Sequence, residues 1–449
     1  MTLSLDTTTR LLVGLGLVLA LSRGAGRVAV RFGQPPVLAE IAVGIALGPS
    51  LLGRLAPALH AQLFGPGPTA VFDGLAQIAV ALYAFEIGSH LTEPTAAGER
   101  KGRSPVLLAL VSLTVPAAAG LALAPWLHGR GETAGQAAFT VFLACALGVT
   151  AVPVLARILQ DKAMDRTPVG RLSLAAAALG DGACWCLFAV ALWLSGGIDA
   201  VRLTVGLAGV VAAAAVARWR SGHGDRPVRP RRERSAAETL GAVCLAAAVS
   251  SALGLHALFG GLALGLAWPA TARDAASPGR AGGGTGTAVL SGALLPCFFL
   301  GAGQQVDLGP RLATGGFLGL VLLLLVVSLA TKALACAVTG RWYGLGRRDS
   351  VRLGVLMNTK GLTEIVVLTA GHRAGLVGQA LFEALLVVAL VSTMAAGPVL
   401  AALDSRDARA ARDARSTRDD RPGPHRQPHP RPRNGEAAAA EPATAAGAG

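Results

Sequence analysis

The run 168–194, and within it Ala177-Ala178-Leu179-Gly180-Asp181-Gly182-Ala183, decides how this chain is read. The run is apolar nearly throughout and exceeds the roughly 20 residues that a helix needs to cross a bilayer. One carboxylate interrupts it, about 20 Å from the helix start at 1.5 Å per residue. That depth is near the bilayer midplane. An ionisable group there is costly and marks function by default. Desolvation disfavours a bare carboxylate, so Asp181 is expected to hold either a proton or a dehydrated cation. Releasing one to take the other is enough for exchange. Gly180 and Gly182 leave space on both sides of the carboxylate. The structural alternative is a salt bridge that fixes helix packing.

The rest of the chain has the same character. Of 449 residues, 53% are hydrophobic and 15% charged, against about 25% charged in a typical soluble domain. The mean hydropathy is +0.55. Aromatics make up only 4%, and the 58 glycines are dispersed through apolar runs, which suits helices packed closely in lipid. Apolar runs fall at 9–31, 35–53, 71–91, 104–125, 136–158, 168–194, 198–217, 237–254, 256–270, 286–306, 312–340, 350–373 and 380–403. The expected fold class is therefore an all-α membrane protein with about 13 transmembrane helices. The pair 237–254 and 256–270 reads either as a helix-turn-helix or as a span plus a re-entrant piece.

Loop charge orients these spans. One alternate set of loops holds 22 Lys and Arg, including Arg100, Lys101, Arg103, the arginines from Arg218 to Arg234, Arg273 and Arg280. The other set holds five, namely Arg10, Arg54, Arg130, Arg311 and Arg373. The positive-inside rule makes the rich set cytoplasmic, with the N-terminus outside and the C-terminus inside the inner (plasma) membrane. The same rule accounts for the net charge of +14, so nucleic acid is not an expected partner. No aromatic-interleaved basic face of the nucleic-acid-binding kind is present. The first run lacks the basic leader of a cleavable signal and reads as a retained helix. Residues 1–403 form the membrane domain. Residues 404–449, rich in Arg, Asp, Pro and Ala, read as a disordered basic cytoplasmic tail.

The other interior ionisable groups are Glu40, Glu86, Arg171, Lys332, Lys360 and Glu364. Lys332 needs a carboxylate partner, or a path by which it snorkels toward Arg341. Lys360 and Glu364 are one helical turn apart and can compensate each other or line an ion path. Two spans look broken. In Gly148-Val149-Thr150-Ala151-Val152-Pro153 the proline stands in mid-helix, where it removes a donor and frees a carbonyl. In Asn358-Thr359-Lys360-Gly361 polar groups and a glycine interrupt an apolar helix. Such discontinuous helices place loose carbonyls at a midplane ion site. An ordinary kink is the alternative for either alone. The six cysteines, Cys145, Cys184, Cys186, Cys244, Cys297 and Cys336, have no metal spacing and read as small buried hydrophobes. Cys184 and Cys186 do not share a helix face. The absence of HExxH, P-loop and Ser/His/Asp patterns argues against an enzyme, and no cofactor is expected.

Four stretches carry a resemblance to a known family. They are Phe32–Val37 through Gly44–Gly53, then Thr150–Leu159, then Gly170–Asp181, and Met357–Leu368. The chain resembles the monovalent cation:proton antiporter-2 family, in particular its cation/H+ exchanger branch, over roughly residues 9–403. The resemblance implies an inverted-repeat antiporter fold with two crossed discontinuous helices, a panel or dimerisation domain beside a mobile core domain, and a homodimer in the lipid bilayer. It implies a monovalent cation, Na+ or K+, and H+ as the exchanged partners, with the cation bound at Asp181. The family's buried basic residue maps onto Lys332, and its unwound stretches onto Thr150–Pro153 and Asn358–Gly361. Alternating access is then an elevator-like movement of the core past the panel.

Two departures qualify this. Gly180 stands where relatives carry Asn, Asp or Gln, so Asp181 is a solitary carboxylate and exchange is expected to be electroneutral. Glu86 stands where relatives carry an apolar residue. The expected site is Asp181, Thr150 and Gly180, supported by Lys332, Pro153, Asn358, Thr359, Lys360 and Glu364. Two other readings keep the fold. One is a proton-coupled exporter of an organic cation or ionophore-like metabolite, and the other a non-transporting sensor.

Overall fold

A computed structural model describes residues 6–91, 104–129, 131–162, 164, 167–222, 235–253, 256–268 and 285–419. Arg100, Lys101, Arg103, Arg273 and Arg280 lie outside these residues, as do the basic loop from 223 to 234 and the tail from 420. Among the described residues the chain is all helical, with no strand.

The helices begin where their sequences supply an N-terminal signal. Helix α1 (Thr7–Arg31) starts behind Asp6, whose side chain accepts from the Thr9 amide. Helix α2 (Pro36–Leu47) opens on a proline, and Gly48 ends it before two short helices, α3 (Leu52–Leu55) and α4 (Pro57–Phe64). The expected span 35–53 is thus cut at Gly48-Pro49. Next come α5 (Pro66–Leu91) and α6 (Pro105–Leu127). The first broken helix follows as α7 (Gln136–Gly148) and α8 (Val152–Asp161). Helix α9 (Pro168–Leu194) is capped by the Thr167 side chain, which accepts from the Gly170 amide. Asp181 is 13 residues from each of its ends, at its midpoint.

Helix α10 (Ala200–Gly222) leads to α11 (Ala236–Ala252), which opens on a capping box between Ser235 and Glu238. Helix α12 (Ala257–Ala267) follows as a separate short helix. Then come α13 (Thr285–Gly303), α14 (Leu308–Leu312) and α15 (Gly315–Trp342). The second broken helix is α16 (Arg347–Met357) with α17 (Leu362–Arg373). The last, α18, runs Gln379–Asp419, so helix continues past the expected end of the final span at 403 without interruption. By contacts, Met1–Ala401 is one compact unit and Ala402–Gly449 a second.

Eight helical segments among the described residues, two of them the interrupted stretches Pro36–Leu55 and Arg347–Arg373, are long and apolar enough to cross a membrane, and five shorter apolar helices accompany them. Thirteen crossings stay an expectation. The surface is apolar, as lipid demands: α15 exposes Leu318, Leu322, Val326, Leu334 and Val338 while burying Leu320, Leu324, Ser328, Lys332 and Cys336.

Within the first unit the helices pack in two groups. Helices α1, α2, α5, α11, α12 and α13 contact one another, and α6, α7, α9, α15 and α16 contact one another. The first group packs tightly through small residues. At Gly88, Gly261 and Gly265 a Cβ would strike the facing backbone of α5 or α12, so these helices can touch only through glycine. The groups meet where α5 faces α9. The largest apolar cluster fills that seam with Val80 and Tyr83 of α5, Phe142 of α7, Trp185 and Phe188 of α9, and Phe299 of α13.

Candidate functional site

The two breaks cross each other. Between α7 and α8 the residues Val149, Thr150 and Ala151 are extended or non-helical, and between α16 and α17 so are Thr359, Lys360 and Gly361. The Ala151 amide donates to the Thr359 carbonyl at 3.0 Å, and the Thr150 hydroxyl donates to the Met357 carbonyl at 2.9 Å. The breaks therefore satisfy part of each other's backbone, which a low-dielectric interior requires. Gly361 is needed at this crossing. A Cβ there would lie 2.7 Å from Val154 Cγ2 and 3.5 Å from Ala151 Cβ.

Pro153 does not stand in mid-helix. It is the second residue of α8, where an amide has no intrahelical acceptor to lose, so proline there opens a helix and breaks none. The unwinding lies before it.

The C-terminal end of α7 carries unpaired carbonyls and the negative end of a helix dipole. Two buried ammonium groups meet it. Lys332 Nζ donates to the Gly148 carbonyl and, at 2.5 Å, to the Val149 carbonyl. Lys360 Nζ donates to the Ala146 carbonyl at 3.2 Å and to Glu364 Oε1 at 2.9 Å. Both lysines are fully buried. Lys332 thus hydrogen-bonds backbone carbonyls and does not snorkel, and its charge sits beside that of Asp181. Lys360 and Glu364 compensate each other as a buried pair. The Lys360 carbonyl accepts from the Thr393 hydroxyl of α18 at 2.5 Å, which pins the second break.

Asp181 faces this crossing and is fully buried. The Thr363 hydroxyl donates to its Oδ2 over a long 3.4 Å, and Tyr83 OH lies 3.3 Å from that hydroxyl. The Val152 amide at the head of α8 and the Lys332 ammonium are its positive neighbours. Its Oδ1 has no hydrogen-bond partner among the described residues. The same holds for Asn358 Oδ1, Glu364 Oε2 and the Ser328 hydroxyl, all buried. Such acceptors are expensive to leave unserved, and their concentration at a crossing of broken helices is what an ion site requires.

The other expected residues fall elsewhere. Thr150 bridges the breaks, and the Thr359 hydroxyl donates to the Leu356 carbonyl at 2.9 Å. Gly180 is on a half-buried side of α9, and a Cβ there would meet nothing within 4 Å. Glu40 and Glu86 are half-buried, and Arg171 is exposed. Glu86 has Ser291 of α13 beside it. Cys145 of α7 and Cys184 of α9 bring their sulfurs to 3.0 Å, and Cys186 points elsewhere. Sequence reasoning missed Tyr83, Thr363 and Thr393, uncharged helix residues with no signal of their own.

The comparisons agree with this architecture. The model of the family described as sodium/hydrogen exchanger, transmembrane, matches residues 16–403. The Na(+)/H(+) antiporter NhaS4 of Synechocystis sp. is 30% identical over 412 residues, covering 88% of this chain and 98% of that protein. Cation/H(+) antiporter 18 of Arabidopsis thaliana is 32% identical over 82% of this chain, but only 46% of its own length is matched. K(+)/H(+) antiporter 1 of Saccharomyces cerevisiae is 29% identical over 82% of this chain and 44% of its own length. The chain thus spans nearly all of the cyanobacterial relative and about half of the plant and yeast ones. Among solved structures, the sodium proton antiporter MjNhaP1 from Methanocaldococcus jannaschii superposes with a TM-score of 0.57 at 12% identity, covering 89% of this chain and 98% of that one. That likeness assigns the fold, and the sequence match assigns the family: this chain is a member of the sodium/hydrogen exchangers.

Proposed function

We propose that this protein is a secondary active transporter that exchanges a monovalent cation, Na+ or K+, for H+ through Asp181. The observation that carries the proposal is one fully buried carboxylate with an unpartnered oxygen, set against two crossed helix breaks. The printed names of the relatives, Na+/H+ and K+/H+ antiporters, support the same cargo.

The residues suggest how exchange runs. A carboxylate removed from water tolerates one positive partner at a time, proton or cation. The Thr363 hydroxyl can donate to the empty carboxylate, then rotate to offer a lone pair to a bound cation. Lys332 and Lys360 neutralise the α7 carbonyls. Those carbonyls then do not compete for the cation, and Asp181 remains the acceptor that decides occupancy. With no second acid at Gly180, one charge replaces one charge, and exchange is electroneutral. The contact groups built on α5 and on α9 support a panel and a core that slide past each other. We place the protein in the inner membrane as a homodimer with its N-terminus outside and its C-terminus in the cytoplasm. The loop charges support that orientation, and the family resemblance supports the dimer.

Purified protein in proteoliposomes tests the proposal. Na+ or K+ should dissipate a preformed pH gradient, at a rate independent of an imposed membrane potential. Asp181→Asn should reduce exchange to background while the protein still folds. Wild-type exchange in Asp181→Asn refutes the site, and strong dependence on potential refutes electroneutrality.

A further inference from the structure

Side chains of α5 and α17 meet at two rungs, in antiparallel order. Tyr83 meets Thr363 at 3.3 Å beside Asp181. Ten residues further along each helix, Arg373 Nη2 meets Asp73 Oδ1 at 2.9 Å. Ten residues of helix is about 15 Å. Between these two rungs lies a small cavity with room for about one or two water molecules, or an ion of similar size. Val80 and Val366 line its walls, and Asp73, Gln77, Thr369 and Arg373 supply its polar lining. His256 of α12 also lines it. Thr369 is 5% exposed, and its hydroxyl has no hydrogen-bond partner among the described residues.

Three features set this place apart from ordinary packing. Polar groups of three elements converge on it, with Asp73 and Gln77 from α5, His256 from the start of α12, and Thr369 and Arg373 from α17. It is aligned with Asp181 along the α17 stripe of Thr363, Val366, Thr369, Ala370 and Arg373, which recur at helical spacing. Two of its lining residues, Arg373 and Asp73, form an ion pair whose side chains are 43% and 39% exposed, and pairs so exposed hold weakly. Arg373 belongs to the sparsely charged loops, so its end is the outer one under the orientation proposed above.

We propose that Asp73, Gln77 and Thr369 form a second monovalent-cation site on the outer approach to Asp181, with Arg373 as its displaceable plug. Asp73 neutralises Arg373 when the approach is shut. A monovalent cation arriving from outside replaces the guanidinium at the Asp73 carboxylate, and Thr369 Oγ1 and the Gln77 amide oxygen complete its shell. The cation then passes toward Asp181 when the seam opens. The inference rests on the exchange reading, and it adds a site that does not take part in proton exchange.

The test measures half-saturating Na+ and K+ separately at the outer and inner faces, in right-side-out and everted vesicles. Asp73→Asn should raise the outer value about three- to tenfold, which is about 0.6 to 1.4 kcal/mol. The inner value should stay within about twofold. Thr369→Val should shift the outer value in the same direction, and less. Arg373→Gln should act oppositely and lower it, because the competing cation is gone. Asp73→Glu should restore the outer value if the carboxylate is what matters. A merely structural ion pair predicts that Asp73→Asn and Arg373→Gln behave alike, and that result overturns the proposal. So do equal shifts at both faces, or none. Wild-type protein that moves no cation overturns the exchange reading and this site together. Wild-type exchange with unchanged outer values in every variant overturns this site alone.

Discussion

The two helix breaks occupy the same crossing but are neutralised in opposite ways. The first, at Val149–Ala151, has no charge of its own. Its carbonyls are met by Lys332 from α15 and by Lys360 from the other break. The second carries its own ion pair, Lys360 with Glu364, and is fastened by Thr393 of α18. One break depends on distant helices and the other is largely self-contained. Both present the start of a helix to Asp181, the first through the Val152 amide at the head of α8 and the second through the Thr363 hydroxyl in the first turn of α17. Both breaks therefore reach the ion site, but the first relies for its neutralisation on residues outside it, so a change in Lys332 or Lys360 reaches the carboxylate through it.

The strongest way to break this comparison is at Lys360, which serves both. Lys360→Met strands Glu364, which is fully buried. Leaving a buried charge unpaired costs about 3–5 kcal/mol. Chemical unfolding in detergent should register a loss of that order, together with lost exchange. The double variant Lys360→Met with Glu364→Gln should be the more stable of the two by about 1–2 kcal/mol, since no unpaired charge remains. A double variant as unstable as the sum of its parts would show that the second break is not self-compensated.

Lys332→Met comes next. It strips two buried carbonyls of their donor, at about 1–3 kcal/mol each less what relaxation recovers, or about 3 kcal/mol in all. Exchange should fall to background, because the carbonyls would then compete with Asp181 for the cation. Exchange that persists in Lys332→Met would mean that the first break needs no distant partner.

Gly361→Ala sharpens the crossing itself. The new methyl would press on Val154 at 2.7 Å, and Val154 is β-branched with little freedom to turn away. Overpacking of this size costs about 1–3 kcal/mol. Slower exchange with an unchanged half-saturating cation concentration is expected, since the methyl alters how the breaks pack and touches no ligand atom. A change in half-saturation alone would place Gly361 in the cation shell instead.

Which parts were legible in the sequence follows from what each depends on. Helices α6, α9 and α15 are long uninterrupted apolar runs, and expected and observed ends agree within three residues. Run length and an opening Pro or Gly decide such ends locally. The span expected at 35–53 was less legible because Gly48-Pro49 cuts it in a way that hydropathy averages over, whereas the pair 237–254 and 256–270 appears as two helices within three residues of those bounds. Asp181, Lys332, Lys360 and Glu364 were legible because a charge in an apolar run has a cost whatever surrounds it. Their partners were not. Lys332 has Asp181 as its acidic neighbour, but its hydrogen bonds go to carbonyls left without helical donors because α7 stops at Gly148. Tyr83, Thr363 and Thr393 are ordinary helix residues until α5, α17 and α18 are placed around Asp181. Glu383, near the start of the run 380–403, was not among the candidates. It is 1% exposed, pairs with Arg311, and accepts from the Asp307 amide at 3.1 Å.

Pro153 gives the smallest effect and the sharpest contrast with expectation. A proline within a helix breaks it at a cost of about 3 kcal/mol, and on that view Pro153 makes the first break. Its place as second residue of α8 removes the conflict, since the lost N–H had no intrahelical acceptor. What holds the chain open is instead the set of bonds to Thr359, Met357 and Lys332. Pro153→Ala should then keep the break. It should lose only the rigidity that proline gives the unfolded chain, about 0.4–1 kcal/mol. Exchange should stay within about threefold of wild type, well under 1.4 kcal/mol on the barrier. If Pro153→Ala abolishes exchange while Lys332→Met spares it, the dependence is reversed: proline sets the break, and the lysine merely settles on carbonyls that would be free in any case.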